Sequence, residues 1–230
     1  MLVMKYGRRI AYTIPVLIPV HSTCGRNSVA KQSGKANKKN PPGRLRIVAG
    51  IWRSRLLDID DVVGLRPTPE RIRETLFNWL SPGIAGARCL DLYAGTGALG
   101  LEALSRGGAE TVFVEKSAIA ASTLRRNVAA LGAVDAVVHE ADALDFLRDY
   151  DCGRFDIVFL DPPFAADNLG DLCRLLDTQA ILAVGARVYL EQDRAMPDPV
   201  LPDGWGTLKK KYAGNVRFSL VVPAVQGAGK

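Results

Sequence analysis

The chain has 230 residues, 48% of them hydrophobic, enough to bury a sizeable core in one domain of ordinary size, and nothing in it is fibrous or repetitive. Its formal charge is +6, but nine of its 30 Lys and Arg fall in residues 1–44, which hold no Asp or Glu, so the remaining 21 meet all 24 acids and the folded body is not basic. Cys24, Cys89, Cys152 and Cys173 form no CxxC pair and have no clustered histidines, which excludes a disulfide framework and a zinc site; no metal is expected, and a reducing, cytoplasmic compartment fits.

From Met4 the chain reads "MKYGRRIAYTIPVLIPVHSTCGRNSVAK", a basic start, a mostly apolar run and a small-residue site at Ser28 to Ala30, which is the order of parts in a secretory signal. Pro15 and Pro19 break the apolar run, and it is too short to span a bilayer. Residues 1–43 are therefore read as a basic, disordered extension, with export as the alternative and no membrane partner. The linker-like "KQSGKANKKNPPG" sets the boundary. Residues 44–83 then form a small N-terminal unit: "RLRIVAGIWRSRLLDID" reads as a hairpin around Gly50, and "RPTPERIRETLFNWL" as a helix capped by Thr68, with Pro69 in its first turn and Ile72, Leu76, Phe77 and Leu80 on one face.

Residues 84–230 alternate apolar strands with amphipathic helices. The strands are "RCLDLY", "TVFVE", "AVVHEA", "FDIVFL" and "ARVYLE"; the helices are "ALGLEALSRG", "SAIAASTLRRNVAALG", "ALDFLRDY" and "LGDLCRLLDT". Such alternation predicts right-handed crossovers and a mainly parallel sheet covered on both faces. "WGTLKKKYAG" and "NVRFSLVVP", joined by a Gly-Asn turn, should close the sheet with an antiparallel hairpin, giving an α/β, Rossmann-like fold.

"DLYAGTGALG" places Gly95-x-Gly97-x-x-Gly100 after a strand and at a helix start, and Glu115 ends the next strand about 20 residues on, where a carboxylate can accept from ribose hydroxyls. Asp91, four positions before Gly95, decides between cofactors. In a dinucleotide site it would face the like charge of a pyrophosphate. S-adenosylmethionine brings a cationic ammonium and sulfonium instead, and opposite charges about 4 Å apart attract by several kcal/mol before desolvation is subtracted. S-adenosylmethionine is therefore the expected cofactor. Asp142, after the third strand of this series, can cap a helix and accept from an adenine amino group, with Ala143 packing on the ring. Tyr93 and Lys116 complete the candidate cofactor contacts.

The fourth strand runs into "DPPF". Ligands in open α/β sheets bind at the carboxyl ends of the strands, so Asp161 should point into the same crevice as Asp91 and Glu115. Pro162 and Pro163 lack N–H donors, so Asp161 and the Pro162 carbonyl make an acceptor pair suited to the two N–H bonds of a nucleobase amino group. Holding those hydrogens favours pyramidal nitrogen and presents its lone pair to a methyl group, while Phe164 offers a face for the base to stack on. Methylation at a cytosine carbon would need a cysteine nucleophile, and none occupies this loop.

With these motifs assembled, the sequence resembles class I methyltransferases of the RsmD type, which methylate guanine N2 in bacterial 16S ribosomal RNA. The similarity spans roughly Arg44 to Val222 and rests on "RIVAGIWRSRLL", "GLRPTPERIRETLFNWL", "LDLYAGTGALGLEALSRG", "VFVEKS", "DIVFLDPPF" and "KKKYAGNVRFSL". The resemblance implies that Asp91, Gly95 and Gly97 hold the methionine part, Glu115 the ribose and Asp142 the adenine, and that Asp161, Pro162, Pro163 and Phe164 hold the target guanine. It further implies that Arg66, Thr68, Arg71 and Arg73 lie at the mouth of the crevice, against RNA phosphates or the cofactor carboxylate. The implied partner is 16S rRNA or the assembling 30S subunit, with a monomeric enzyme. Enzymes that methylate DNA amino groups share the acid-Pro-Pro-aromatic tetrad, so DNA is the alternative substrate.

Overall fold

A computed structural model of the chain describes residues 43–59, 68–163 and 168–224. The N-terminal extension, Arg66 and Phe164 lie outside the described residues. Strands β1 (Gly43–Arg46) and β2 (Leu56–Ile59) pair antiparallel as the expected hairpin. Its turn passes through Gly50 at φ +86, where an added Cβ would sit 1.8 Å from the Ser105 carbonyl oxygen, so only glycine fits.

Helix α1 (Glu70–Leu80) buries Ile72, Arg73, Leu76, Phe77 and Leu80. Pro69, not Thr68, occupies the N-cap, and no side chain caps the helix. The Thr68 hydroxyl is used elsewhere, donating to Asp161 across 93 positions of sequence.

There follow β3 (Arg88–Asp91), α2 (Ala98–Ser105), β4 (Glu110–Glu115), α3 (Ala118–Leu131), β5 (Ala136–Glu140), α4 (Ala143–Asp149), β6 (Phe155–Leu160), α5 (Leu169–Thr178), β7 (Leu182–Asp193), β8 (Gly206–Ala213) and β9 (Val216–Val222). Seven strands form one sheet in the order β5-β4-β3-β6-β7-β9-β8. The first five are mutually parallel, and β9 runs antiparallel to both β7 and β8. The expected mainly parallel sheet with a closing antiparallel hairpin is thus present, and the hairpin turns at Gly214 with φ +62. β3 is shorter than the sequence pattern suggests because Leu92 and Tyr93 already belong to the turn. β7 is longer, and its pairing with β6 shifts register between Phe155 and Ile157. Among the described residues, no helix is long and apolar enough to cross a membrane.

The sheet carries an apolar layer on each face. Helices α4 and α5 place Leu147, Leu172 and Leu176 against Leu90, Val158 and Leu190. On the other face, α1 sets Leu76 and Phe77 against Phe159, Tyr189 and Phe218. Because side chains alternate along a strand, neighbouring positions such as Val158 and Phe159 serve opposite layers.

Arg73 corrects an expectation. It does not reach the crevice mouth: it has no exposed surface, and it pairs with the equally buried Glu102 of α2 at 3.3 Å. Its remaining donors go to the Thr68 and Arg46 carbonyls. Glu102 in turn accepts from the Val48 and Ala49 amides and from Arg106. One buried carboxylate therefore ties the hairpin, α1 and α2 together. Glu102→Ala would strand the Arg73 guanidinium without its counter-charge, so the midpoint of urea unfolding is expected to fall by the equivalent of about 3–5 kcal/mol.

Candidate active site

The chain crosses from one side of β3 to the other between β5 and β6, which makes the β3/β6 boundary the topological switch point where a crevice opens at the strand carboxyl ends. Asp91 ends β3 and pairs with Phe159, and the Leu92 amide donates to the Phe159 carbonyl at 3.2 Å. This register sets Asp161, two residues further along β6, beside Asp91. Both line a single cavity of about 840 Å³.

Gly95 and Gly97 adopt positive φ, +52 and +85, and turn the chain from β3 into α2. Gly100 lets α2 lie on β4, since a Cβ there would fall 2.2 Å from the Phe113 ring. Gly100→Ala is therefore expected to push α2 off the sheet and lower stability by about 1–3 kcal/mol, the usual cost of overpacking, read from the thermal midpoint.

The carboxylates are held by backbone. Asp91, 2% exposed, accepts from the Gly100 amide at 3.0 Å. Burial pushes its pKa up to about 7, the Gly100 N–H opposes the rise, and the charges of Asp161 and Glu115 add to it. Glu115 accepts from the Gly95 amide at 2.8 Å and the Ser117 amide at 2.7 Å, which fixes the glycine loop while each oxygen keeps a lone pair. Asp142 caps α4 through the Leu144 amide at 2.9 Å and meets Lys116 at 3.1 Å, an interaction that lowers its pKa. Tyr93, Lys116 and Ala143 line the same cavity.

Asp161 accepts from the Thr68 hydroxyl at 3.1 Å, and burial pushes its pKa up. Thr68 is itself buried in the cavity wall, which corrects its expected placement at the mouth. Arg71 is exposed and does line the cavity. Pro162 and Pro163 follow Asp161 along the wall.

Two further residues escaped the sequence reading. Glu191, on β7, is 2% exposed, lines the cavity and accepts from the Tyr189 hydroxyl at 2.6 Å. It stands near the carboxyl end of "ARVYLE" as Glu115 stands at the end of "TVFVE", a signal that could have found it. Asn168 donates to the Tyr93 hydroxyl at 3.3 Å, linking the glycine-loop turn to the segment after Pro163.

Among the described residues, six carboxylates line the cavity, from Asp91, Glu115, Asp142, Asp161, Glu191 and Asp193, against two cations, Arg71 and Lys116. The amides of Gly95 and Gly100, which a pyrophosphate would need, already serve Glu115 and Asp91. The space therefore suits a cationic ligand and rejects an anionic one.

A family model described as "Conserved hypothetical protein 95" matches residues 45–222. The chain is 42% identical over 185 residues to ribosomal RNA small subunit methyltransferase D of Escherichia coli K12, covering 80% of this chain and 93% of that protein. It belongs to this family. The relative of the same name from Haemophilus influenzae is 40% identical over 189 residues, covering 81% of this chain and 97% of its own length. The solved Escherichia coli protein yhhF superposes with a TM-score of 0.73 at 40% identity over 80% of this chain and its own entire length. The fold is that of class I methyltransferases. Within the family match fall the glycine loop, Asp161, Glu102 and Glu191.

Proposed function

We propose that this chain uses S-adenosylmethionine to methylate the exocyclic amino nitrogen, N2, of a guanine in 16S rRNA of the small ribosomal subunit. The observation that carries this reading is that Asp91 and Asp161 open into one cavity. The names of the relatives supply the ribosomal RNA. The preference for an amino nitrogen rests on chemistry at Asp161.

Bound S-adenosylmethionine supplies an electrophilic methyl group on a positively charged sulfur. Asp91 attracts the cationic end of the cofactor, and its ionised form is favoured as that charge arrives. Glu115 accepts from the ribose hydroxyls with its free lone pairs, and Asp142, held in place by its cap, accepts from the adenine amino group while Ala143 packs on the ring. Gly95 and Gly97 leave room for close approach of the methionine part, with Tyr93 and Lys116 at the cavity wall. Across the cavity, Asp161 and the Pro162 carbonyl accept the two amino hydrogens, hold the nitrogen in line and stabilise the charge that grows on it. Phe164 provides the stacking face, and Arg66 and Arg71 contact phosphates around a base turned out of its helix.

No cysteine is among the described cavity-lining residues, and burial pushes the thiols of Cys89 and Cys173 up to about 12, which supports attack by an amine rather than by an enzyme thiolate. The test is methyl transfer from labelled cofactor to unmethylated small subunits, to free 16S rRNA and to duplex DNA, with the product nucleoside identified by mass spectrometry. Label in N2-methylguanosine from the ribosomal substrates is expected. Label in DNA alone would reject the ribosomal assignment.

A further inference from the structure

Methylating an amino group leaves a surplus proton. The nitrogen begins with two hydrogens, forms a bond to carbon with its lone pair, and is then a cation until one N–H bond breaks and its electron pair returns to nitrogen. The C–S bond breaks at the same time, and its electrons stay on sulfur as a neutral thioether. Asp161 accepts one of those hydrogens in the reading above, but it is buried and needs somewhere to pass the proton on.

The cavity wall holds such a path. The Thr68 hydroxyl donates to Asp161 at 3.1 Å, and the pairing of Leu160 with Leu190 sets Glu191 next to Asp161 at the ends of the neighbouring strands β6 and β7. Tyr189 donates to the other side of Glu191 at 2.6 Å, and Tyr189 has no exposed surface. Two neighbouring buried carboxylates repel each other when both are ionised, so the pair favours a state with one proton between them. The arrangement is a carboxylate pair, Asp161 and Glu191, with Thr68 donating to the first and Tyr189 to the second. Such a pair shares protons rather than ionising independently.

Resting on the methyltransferase reading, we propose that Glu191 is the proton acceptor of the reaction: Asp161 takes the proton shed by the substrate amine and hands it on to the neighbouring Glu191 carboxylate.

Other groups fit this role. Burial makes Glu191 more basic, and so does the like charge of Asp161 on the β6 side, while Asp91, on the β3 side, lines the same cavity. On the β9 side, Glu191 pairs with apolar Phe218, while the neighbouring Arg217 is engaged by the Pro197 carbonyl and Asp198. From α1, Arg73 is committed to Glu102, and Arg71 and Asp193 line the cavity as its nearest remaining charges. Tyr189 steadies the ionised form of Glu191. Positive charge entering with the cofactor favours the ionised pair, ready to accept.

Single-turnover methyl transfer to unmethylated small subunits, followed across pH in wild type, Glu191→Gln and Tyr189→Phe, tests the relay, with cofactor affinity measured on each. Glu191→Gln is expected to slow transfer roughly 10²-fold, the lower end of general-base contributions, with cofactor affinity unchanged. Its acid limb should move to lower pH, because Asp161 loses a like-charged neighbour. Tyr189→Phe should move the limb to higher pH, because the Glu191 anion loses a donor. A neighbour that acts by its charge alone would move the limb of Glu191→Gln but leave its rate above the limb close to wild type. Transfer by Glu191→Gln within about threefold of wild type, or limbs that stay in place, overturns the relay, since a general base contributes about 10²-fold or more. Should Glu191→Gln not fold, the direction of the Tyr189→Phe shift decides. A wild type that methylates no nucleobase amine removes the reading of the site and the relay with it; a wild type that transfers beside unaltered variants removes the relay alone.

Discussion

Asp161→Ala is expected to lower the rate of methyl transfer by roughly 10³-fold, since it removes both an acceptor that holds the amino group and the first stop for its proton. Cofactor affinity should change little, because the proposed reading gives the charged end of the cofactor to Asp91 and not to Asp161. kcat and kcat/KM should fall together, the pattern of an interaction made in the transition state. Asp161→Asn keeps an acceptor oxygen but loses the charge and the capacity to take a proton, so it should fall between wild type and Ala. The fold should tolerate either change. Asp161 is a buried carboxylate beside two others, and its removal relieves repulsion with Asp91 and Glu191. Isothermal titration with S-adenosylhomocysteine and single-turnover transfer on the same preparations check both halves.

Asp91→Asn is expected to do the opposite, weakening the cofactor by on the order of 10²-fold or more, the effect of removing one partner of a buried charge pair. Asparagine can still accept from the Gly100 amide, so the loss isolates charge from geometry. The pH dependence carries a further sign. Asp91 titrates at about 7 in the free protein, and a cation selects its ionised form, so wild-type affinity should fall about tenfold per unit below pH 7 and level off above it. The Asn variant should show neither slope.

Stability moves the other way. The folded pKa of Asp91 lies above its unfolded value near 4, so its contribution is fully present below about pH 4 and is lost as pH rises through 7. Above pH 7 the ionised, unliganded Asp91 costs the fold roughly 3–4 kcal/mol, which Asn would recover as a higher thermal midpoint. A variant that is more stable and binds its cofactor worse would show that this position is held for function.

Most of the fold was legible because each element has a local cause. Ser117 and Gly132 cap α3 where the sequence places them, and the apolar runs of β4 and β6 are strands to within a residue of their expected ends. Asp91, Glu115 and Asp161 reach one cavity because the carboxyl ends of parallel strands converge there, a property of topology that alternation already implies.

The misreadings all concern polar residues whose partners are distant in sequence. Thr68 precedes Pro69 and Glu70 as a cap would, yet Asp161 claims its hydroxyl. The resemblance puts Arg73 at the crevice mouth, although it falls in step with Leu76, Phe77 and Leu80 on the buried stripe of α1. Its counter-charge, Glu102, sits alone in the apolar stretch "ALGLEALS", and a lone acid there needs a buried cation. Reading the two anomalies together could have paired them. Glu191 needed only the rule already applied to Glu115.

The central claim is that donor and acceptor meet in the cavity shared by Asp91 and Asp161. A crystal structure of the chain with S-adenosylhomocysteine and a guanine nucleoside measures this directly. The expected result has the cofactor amino group beside Asp91, the guanine N2 between Asp161 and the Pro162 carbonyl, and room for one methyl group between sulfur and nitrogen, which brings the transferred carbon about 3–3.5 Å from N2. Sulfur and N2 separated by protein, or a cofactor bound away from Asp91, would contradict it.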